Sequence, residues 1–233
     1  MIKIKHLHKT YGHKVVLKDI SFEVKKGSTY ALLGTNGVGK TTTLKIISGL
    51  LKPTAGTVSI DGNEQSHSLN ELSANIGFVP DHAVLYEYLT GMEYLRFVGE
   101  MFQVPSKDTN VYINEMLQKL HLFHEGDQLI KTYSHGMKQK LSIASALIHK
   151  PKVLILDEPL TGVDLISGKA IRTLLKEYVD RGNTVLLSTH LLELAHSLCD
   201  TIGVIHDGEF VREFRSCEYS LNHMEQLIEN IYA

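Results

Sequence analysis

Cysteine is scarce in this 233-residue chain: there are two, Cys199 and Cys217. Their spacing matches no metal or redox motif, which points to a reducing compartment. No apolar run approaches the ~20 residues of a membrane-spanning helix. The opening segment, MIKIKHLHKTYG, alternates in polarity and lacks the apolar core of a signal peptide. Basic residues are not in excess either. The formal net charge is -2, so no global positive field recommends a nucleic acid partner. No internal repeat or low-complexity segment stands out. These absences lead to the expectation of a soluble, cytosolic protein. What is present is ordinary for a globular chain, 43% hydrophobic and 21% charged, with length enough to bury a good core. Thirteen histidines raise the question of a metal, but His6/His8 and His121/His124 are close pairs without cysteines or carboxylates in a ligand array. They are read as solvated or structural, with His190 as the exception.

The strongest motif is Gly34-Thr35-Asn36-Gly37-Val38-Gly39-Lys40-Thr41, a full G-x-x-x-x-G-K-[ST] match. Thr29 to Leu33 before it reads as a short buried strand. After it, Leu44, Ile46, Ile47 and Leu50 recur at helical spacing. Glycines let backbone N–H groups wrap phosphate oxygens, and the helix N-terminus adds a favourable dipole. Lys40 is suited to the β- and γ-phosphates and the Thr41 hydroxyl to Mg²⁺. A second apolar run, Val153 to Leu156, ends in Asp157-Glu158-Pro159. In parallel sheets ligands collect at the carboxyl ends of strands. Asp157 then suits Mg²⁺, and Glu158 suits the orientation or deprotonation of a water. A third strand, Thr184 to Leu187, leads into Ser188-Thr189-His190 and a helix beginning near Leu191, which places His190 for a γ-phosphate.

The stretch TYSHGMKQK, Thr132 to Lys140, precedes the helical run LSIASALIHK. Ser134 reads first as a helix N-cap, a role worth roughly 0.5–2 kcal/mol. The order of GTNGVGKTT, YSHGMKQK, VLILDEP and STH gives it a second role. In that order and spacing, from Lys3 to about Arg215, the chain resembles the nucleotide-binding subunit of ABC transporters, in a variant like that of bacterial drug, bacteriocin and ion exporters. The resemblance implies a phosphate-loop NTPase (RecA-like) α/β core with a parallel sheet, an N-terminal antiparallel β portion and an inserted helical subdomain. It also implies ATP hydrolysis with Mg²⁺. Two subunits would pair head-to-tail, so that Ser134, His135, Gly136 and Met137 of one close over the nucleotide of the other. That nucleotide would sit on Gly34, Thr35, Asn36, Gly37, Val38, Gly39, Lys40, Thr41 and Thr42. Tyr11 falls where an aromatic ring stacks on adenine, with Val16 nearby. Asp164 belongs to a loop crossing the dimer interface, and His190 to the switch position contacting the γ-phosphate. Glu158, His190 and Lys40 are the expected catalytic residues; Thr41 and Asp157 are the expected metal ligands. Asp81 stands where the family usually has glutamine, and an aspartate there can still serve Mg²⁺ or its water. His135 replaces the first signature glycine and Met137 the usual glutamine.

Residues 1–85 and 151–218 are the expected core, 86–150 the helical subdomain and 219–233 a helical tail. Thr90 is the expected cap of a helix carrying Met92, Leu95, Phe97 and Val98; Pro105 and Ser106 begin another with Val111, Ile113, Met116, Leu117 and Leu120. Tyr86, Tyr88, Tyr94 and Phe97 fall where the family receives a helix of its membrane subunit, although bundle core is the expectation for each ring taken singly. The implied partners are a polytopic permease and a second nucleotide-binding subunit, on the inner face of the cell membrane, without nucleic acid. Export is preferred from the signature variant and Asp81. The alternatives are a soluble ABC ATPase acting on ribosome or nucleic acid, a regulatory ATP-binding subunit with weak hydrolysis, and a small-molecule kinase.

Overall fold

The computed structural model describes residues 2–64 and 75–232. The stretch 65–74 of the expected core lies outside the described residues. Ten strands form one sheet in the order β5-β4-β1-β2-β10-β9-β3-β8-β7-β6. Strands β1 (Ile2–Tyr11), β2 (Lys14–Val24), β4 (Ala55–Ile60) and β5 (Asn63–Glu64) pair antiparallel. Alternation of Ile2 and Ile4 on β1, and of Ile20, Phe22 and Val24 on β2, with more polar neighbours buries one face of this portion and leaves the other wet. The central block is parallel: β9 (Thr201–His206), β3 (Thr29–Leu33), β8 (Thr184–Thr189), β7 (Val153–Asp157) and β6 (Ile76–Val79). β10 (Glu209–Arg215) joins the two portions, antiparallel to β9 and parallel to β2.

β3, β7 and β8 are buried along their whole length, which is why their centres, Tyr30–Leu33, Val153–Leu156 and Val185–Leu187, are continuous apolar runs. Their side chains still alternate. Leu154 and Leu156 enter one hydrophobic cluster, and Val153 and Ile155 enter another on the opposite face. The second face is covered by α1 (Lys40–Ile47), through Leu44, Ile46 and Ile47. The first is covered by α2 (Gly91–Met101), α3 (Ser106–Lys119), α4 (His135–Leu147), α5 (Leu165–Asp180), α6 (Leu192–Leu198) and α7 (Leu221–Tyr232). Removing a side chain such as Leu156 from this packing costs about 2–5 kcal/mol.

Local signals act where expected. Thr90 and Glu93 form a reciprocal capping box at the start of α2, and Ser134 caps α4. Four expectations change. Leu50 is not part of the buried stripe: α1 ends at Ile47, and Leu50 is exposed beyond it. Val111 faces solvent on α3 rather than the core. β8 continues through Ser188 and Thr189, because Ser188 stays in the ladder with both β3 and β7 and Thr189 with β3. Finally, Tyr86, Tyr88 and Phe97 are not bundle core; all three are exposed, whereas Tyr94 is buried.

Candidate nucleotide site

The phosphate loop leaves β3 and enters α1. Gly39 is the residue before the helix, at φ 110°, and a Cβ there would lie 2.4 Å from the buried Leu17 Cδ2. Only glycine combines that conformation with that approach. The first turn of α1 has no side-chain cap, so its N–H groups remain available to an anion. Lys40 is 5% exposed. Its Nζ donates to Gly34 O at 2.7 Å and Thr35 O at 3.2 Å. It also lies 3.3 Å from Glu158 Oε1, an ion pair without hydrogen-bond geometry.

A cavity of about 160 Å³ opens over this loop, walled by Asn36, Gly37, Gly39, Lys40, Thr41 and Thr42 together with Val16, Asp81 and Glu158. A larger cleft of about 290 Å³ lies between α3 and α5, but it touches none of the phosphate-loop residues, so chemistry rather than volume locates the site. Tyr11 is not on the cavity wall. It stands half-exposed at the end of β1, opposite Lys14, with Lys9 Nζ 5.0 Å from its ring centroid. Gly34, Thr35 and Val38 are likewise off the wall, and His190 meets the cavity only through Glu158.

Asp157 ends β7 and is 2% exposed. Ser188 Oγ, on the adjacent strand, donates to Asp157 Oδ1 at 2.5 Å and accepts the Glu158 N–H at 3.0 Å. Glu158 itself has φ 47°, a left-handed conformation that disfavours a non-glycine residue by about 1–3 kcal/mol. That turn breaks strand alternation and returns the carboxylate over the sheet's end. There Oε2 is 3.0 Å from His190 Nδ1 and accepts the Thr161 hydroxyl at 3.0 Å. One carboxylate thus meets a lysine, a histidine and a hydroxyl.

The signature stretch faces the loop that follows Glu158. Gly136 is buried, and a Cβ there would lie 2.8 Å from Asp164 Oδ2 and 3.0 Å from Ser167 Oγ. Ser134 is exposed and accepts the Met137 N–H at 3.3 Å, while Met137 packs against the main core. His135 Nε2 lies 3.1 Å from Thr161 O. Asp164 caps α5 by accepting the Ser167 N–H at 2.9 Å; this bond holds its carboxyl below the usual range. Sequence reading placed Ser188 only in the stretch leading to His190 and Thr161 only in the Leu160–Asp164 interface loop; neither was expected to hold Asp157 or Glu158. The only signal was a hydroxyl close to each of His190 and Glu158, and hydroxyls are too common to act on alone.

The family model described as ABC transporter matches residues 17–161. The chain belongs to the ABC transporter family. This ABC ATPase is 37% identical over 211 residues to the linearmycin resistance ATP-binding protein LnrL of Bacillus subtilis, covering 91% of the chain and 68% of that relative. It is 36% identical over 230 residues to the lantibiotic transport ATP-binding protein SrtF of Streptococcus pyogenes, covering 99% and 96%. Among solved structures, the dimeric post-hydrolysis state of the ATP-binding cassette MJ0796 with ADP and Pi superposes with a TM-score of 0.84. It shares 30% identity and covers 93% of this chain and 99% of that one. The protein is therefore an ATP-binding subunit related to drug and lantibiotic transport ATPases, and its reaction is ATP hydrolysis coupled to transport. Among the described residues no helix is long and apolar enough to cross a membrane.

Proposed function

We propose that this ABC ATPase pairs head-to-tail, with a copy of itself or a related subunit, around ATP and Mg²⁺, and drives export through a separate polytopic permease on the cytoplasmic face of the cell membrane. The observation that carries the reading is the setting of Glu158, held by Lys40, His190 and Thr161 beside the phosphate loop. In this role Glu158 accepts a proton from the attacking water, a contribution of about 10²–10⁴-fold. Lys40 and the loop amides meet the charge on the transferred phosphoryl group. His190 has two ways to donate to a phosphate oxygen through Nε2. It does so as imidazolium, or as the Nε2–H tautomer once Glu158 carries the proton and donates to Nδ1.

Thr41, Asp157 and Asp81 supply hard oxygen donors suited to Mg²⁺. Among the described residues no cluster of three or more His, Cys, Asp or Glu side chains forms a cage of its own. That fits an ion shared with phosphate oxygens and water. When bound, Mg²⁺ neutralises charge on those oxygens. Leu165 and Ile166, 85% and 72% exposed directly after Asp164, support a partner surface at the interface loop. Tyr86 and Tyr88 are the proposed permease contacts; Glu87 between them pairs with Lys138 of the signature helix at 2.5 Å, a direct link from that surface to α4.

The test is Glu158→Gln purified with Mg-ATP. Turnover falls about 10²–10⁴-fold while ATP binding persists, the protein elutes as a dimer with ATP and a monomer without, and a stoichiometric polytopic membrane protein co-purifies from solubilised native membranes. Near-normal turnover removes Glu158 as the base. Ribosomal or DNA-associated chains in place of the membrane protein, from an ATP-bound preparation, overturn the transport reading.

A further inference from the structure

Two hydrogen bonds join the signature stretch to the catalytic carboxylate of the same chain, and both pass through Thr161. His135 Nε2 lies 3.1 Å from the Thr161 carbonyl, and Thr161 Oγ1 donates to Glu158 Oε2 at 3.0 Å. A carbonyl oxygen only accepts, so Nε2 carries the proton in this contact. A Cβ built on Gly162, the next residue of the loop, would lie 3.7 Å from the imidazole. The Thr161 N–H donates to Glu158 O at 3.2 Å, so the short turn between base and anchor is closed on itself. Glu158 sits in a left-handed backbone conformation, which persists only where neighbouring contacts over-determine it.

We propose that His135 is a positioning residue for Glu158 of its own chain, and that it couples the two nucleotide sites of the dimer. The inference rests on the head-to-tail reading above. In that arrangement Ser134 and Gly136 face the nucleotide held by the partner, and His135 stands between them on the first turn of α4. A shift of that turn carries the imidazole with it. The imidazole moves Thr161, and Thr161 moves Oε2 of the base that serves the chain's own nucleotide. The signature pattern that this stretch resembles has glycine at this position, and glycine has no side chain to span the gap. The link is therefore a property of this chain's own residue. The rival role for His135 is direct contact with the partner's nucleotide. The two roles act on opposite sites, which makes them separable.

Differently tagged copies are purified as mixed dimers in which one copy carries Glu158→Gln, so that a single site turns over. His135→Ala is then placed either on the copy that keeps Glu158 or on the copy that lacks it. The expected result is a kcat about fivefold lower for the first placement than for the second, with similar KM. Fivefold is the rate equivalent of one hydrogen bond of ~1 kcal/mol. His135→Gln on the Glu158-bearing copy, which keeps a donor for the Thr161 carbonyl, recovers most of the difference. Unchanged circular dichroism and melting of His135→Ala show that the fold is intact. Equal losses in both placements, a larger loss in the second, or no loss in either overturns the inference while leaving the dimer reading in place. Failure of the tagged copies to form ATP-dependent mixed dimers overturns the head-to-tail reading, and the inference with it.

Discussion

Replacing Ser188 with alanine removes one oxygen and two hydrogen bonds from the centre of the site. The hydroxyl is fully buried, donates to Asp157 Oδ1 at 2.5 Å and accepts the Glu158 N–H at 3.0 Å. Asp157 is 2% exposed, so water does not readily replace the lost donor. A bond to a charged group is worth about 1.5–3 kcal/mol and a neutral one about 1 kcal/mol. With partial relaxation the two losses sum to roughly 2–4 kcal/mol of folding stability. The effect on rate has a different origin. Glu158 N–H is one of the restraints on its left-handed backbone, and relaxation of that turn swings the carboxylate away from Lys40 and His190. A fall in kcat of at least about tenfold is expected, since misplacement by an ångström costs on the order of 10²-fold. Urea unfolding without nucleotide or magnesium isolates the stability loss, and phosphate release at saturating Mg-ATP reports the rate. Ser188→Cys, with a weaker donor, falls between the two. A Ser188→Ala protein within ~0.5 kcal/mol of the wild type, the range of an ordinary surface change, and with kcat within twofold refutes this account of the strand pair.

Gly39→Ala places a methyl 2.4 Å from Leu17 Cδ2 at φ 110°, so titration with a fluorescent ATP analogue shows at least about tenfold weaker binding; an unchanged Kd removes the tight loop from the argument. If Tyr11 stacks on adenine as the family resemblance implies, Tyr11→Ala weakens ATP binding by about tenfold, the loss of a base–aromatic stack worth ~1–3 kcal/mol. Tyr11→Phe stays within about twofold in the same titration, and equal losses in both point to the hydroxyl rather than the ring. Asp164 is held below the ordinary carboxylate range by the backbone bond at the start of α5. Its contribution is thus present above the ordinary pKa and is lost as pH falls through the lower folded-state value. Asp164→Asn still caps the helix but does not titrate. Urea midpoints measured from pH 6 downward therefore show a shallower acid limb in the variant, and identical limbs refute the assignment.

Several parts of the fold were legible residue by residue because their causes are local. The Thr90 and Ser134 caps are each set by a side chain within three positions of the N–H it accepts, though the reciprocal bond from Glu93 was not foreseen. The largely apolar runs at Thr29–Leu33 and Val153–Leu156 identified strands buried on both faces. Leu50 misled because helical spacing continues in the residues after the helix itself has stopped, at Ser48 and a left-handed Gly49. Tyr86, Tyr88 and Phe97 misled because aromatic character signals burial on average, and an exposed ring has the same composition as one in a core.

The sequence by itself determined which residues have the chemistry to cradle a phosphate and to take a proton from a water. Glycine spacing, the lysine that follows, and an acid at the end of an apolar strand are chemical requirements written in contiguous residues. It could not say which hydroxyls would hold those groups in place. Ser188 reaches Asp157 because β8 lies next to β7, in a parallel register that sets Asp157 opposite Ser188. Thr161 turns back to Glu158, and His135 reaches Thr161 across 26 positions of chain, because the start of α4 packs against the loop leading into α5. Strand order and helix packing are settled by burial summed over the whole chain, so contacts that depend on them exist only once the tertiary structure has formed.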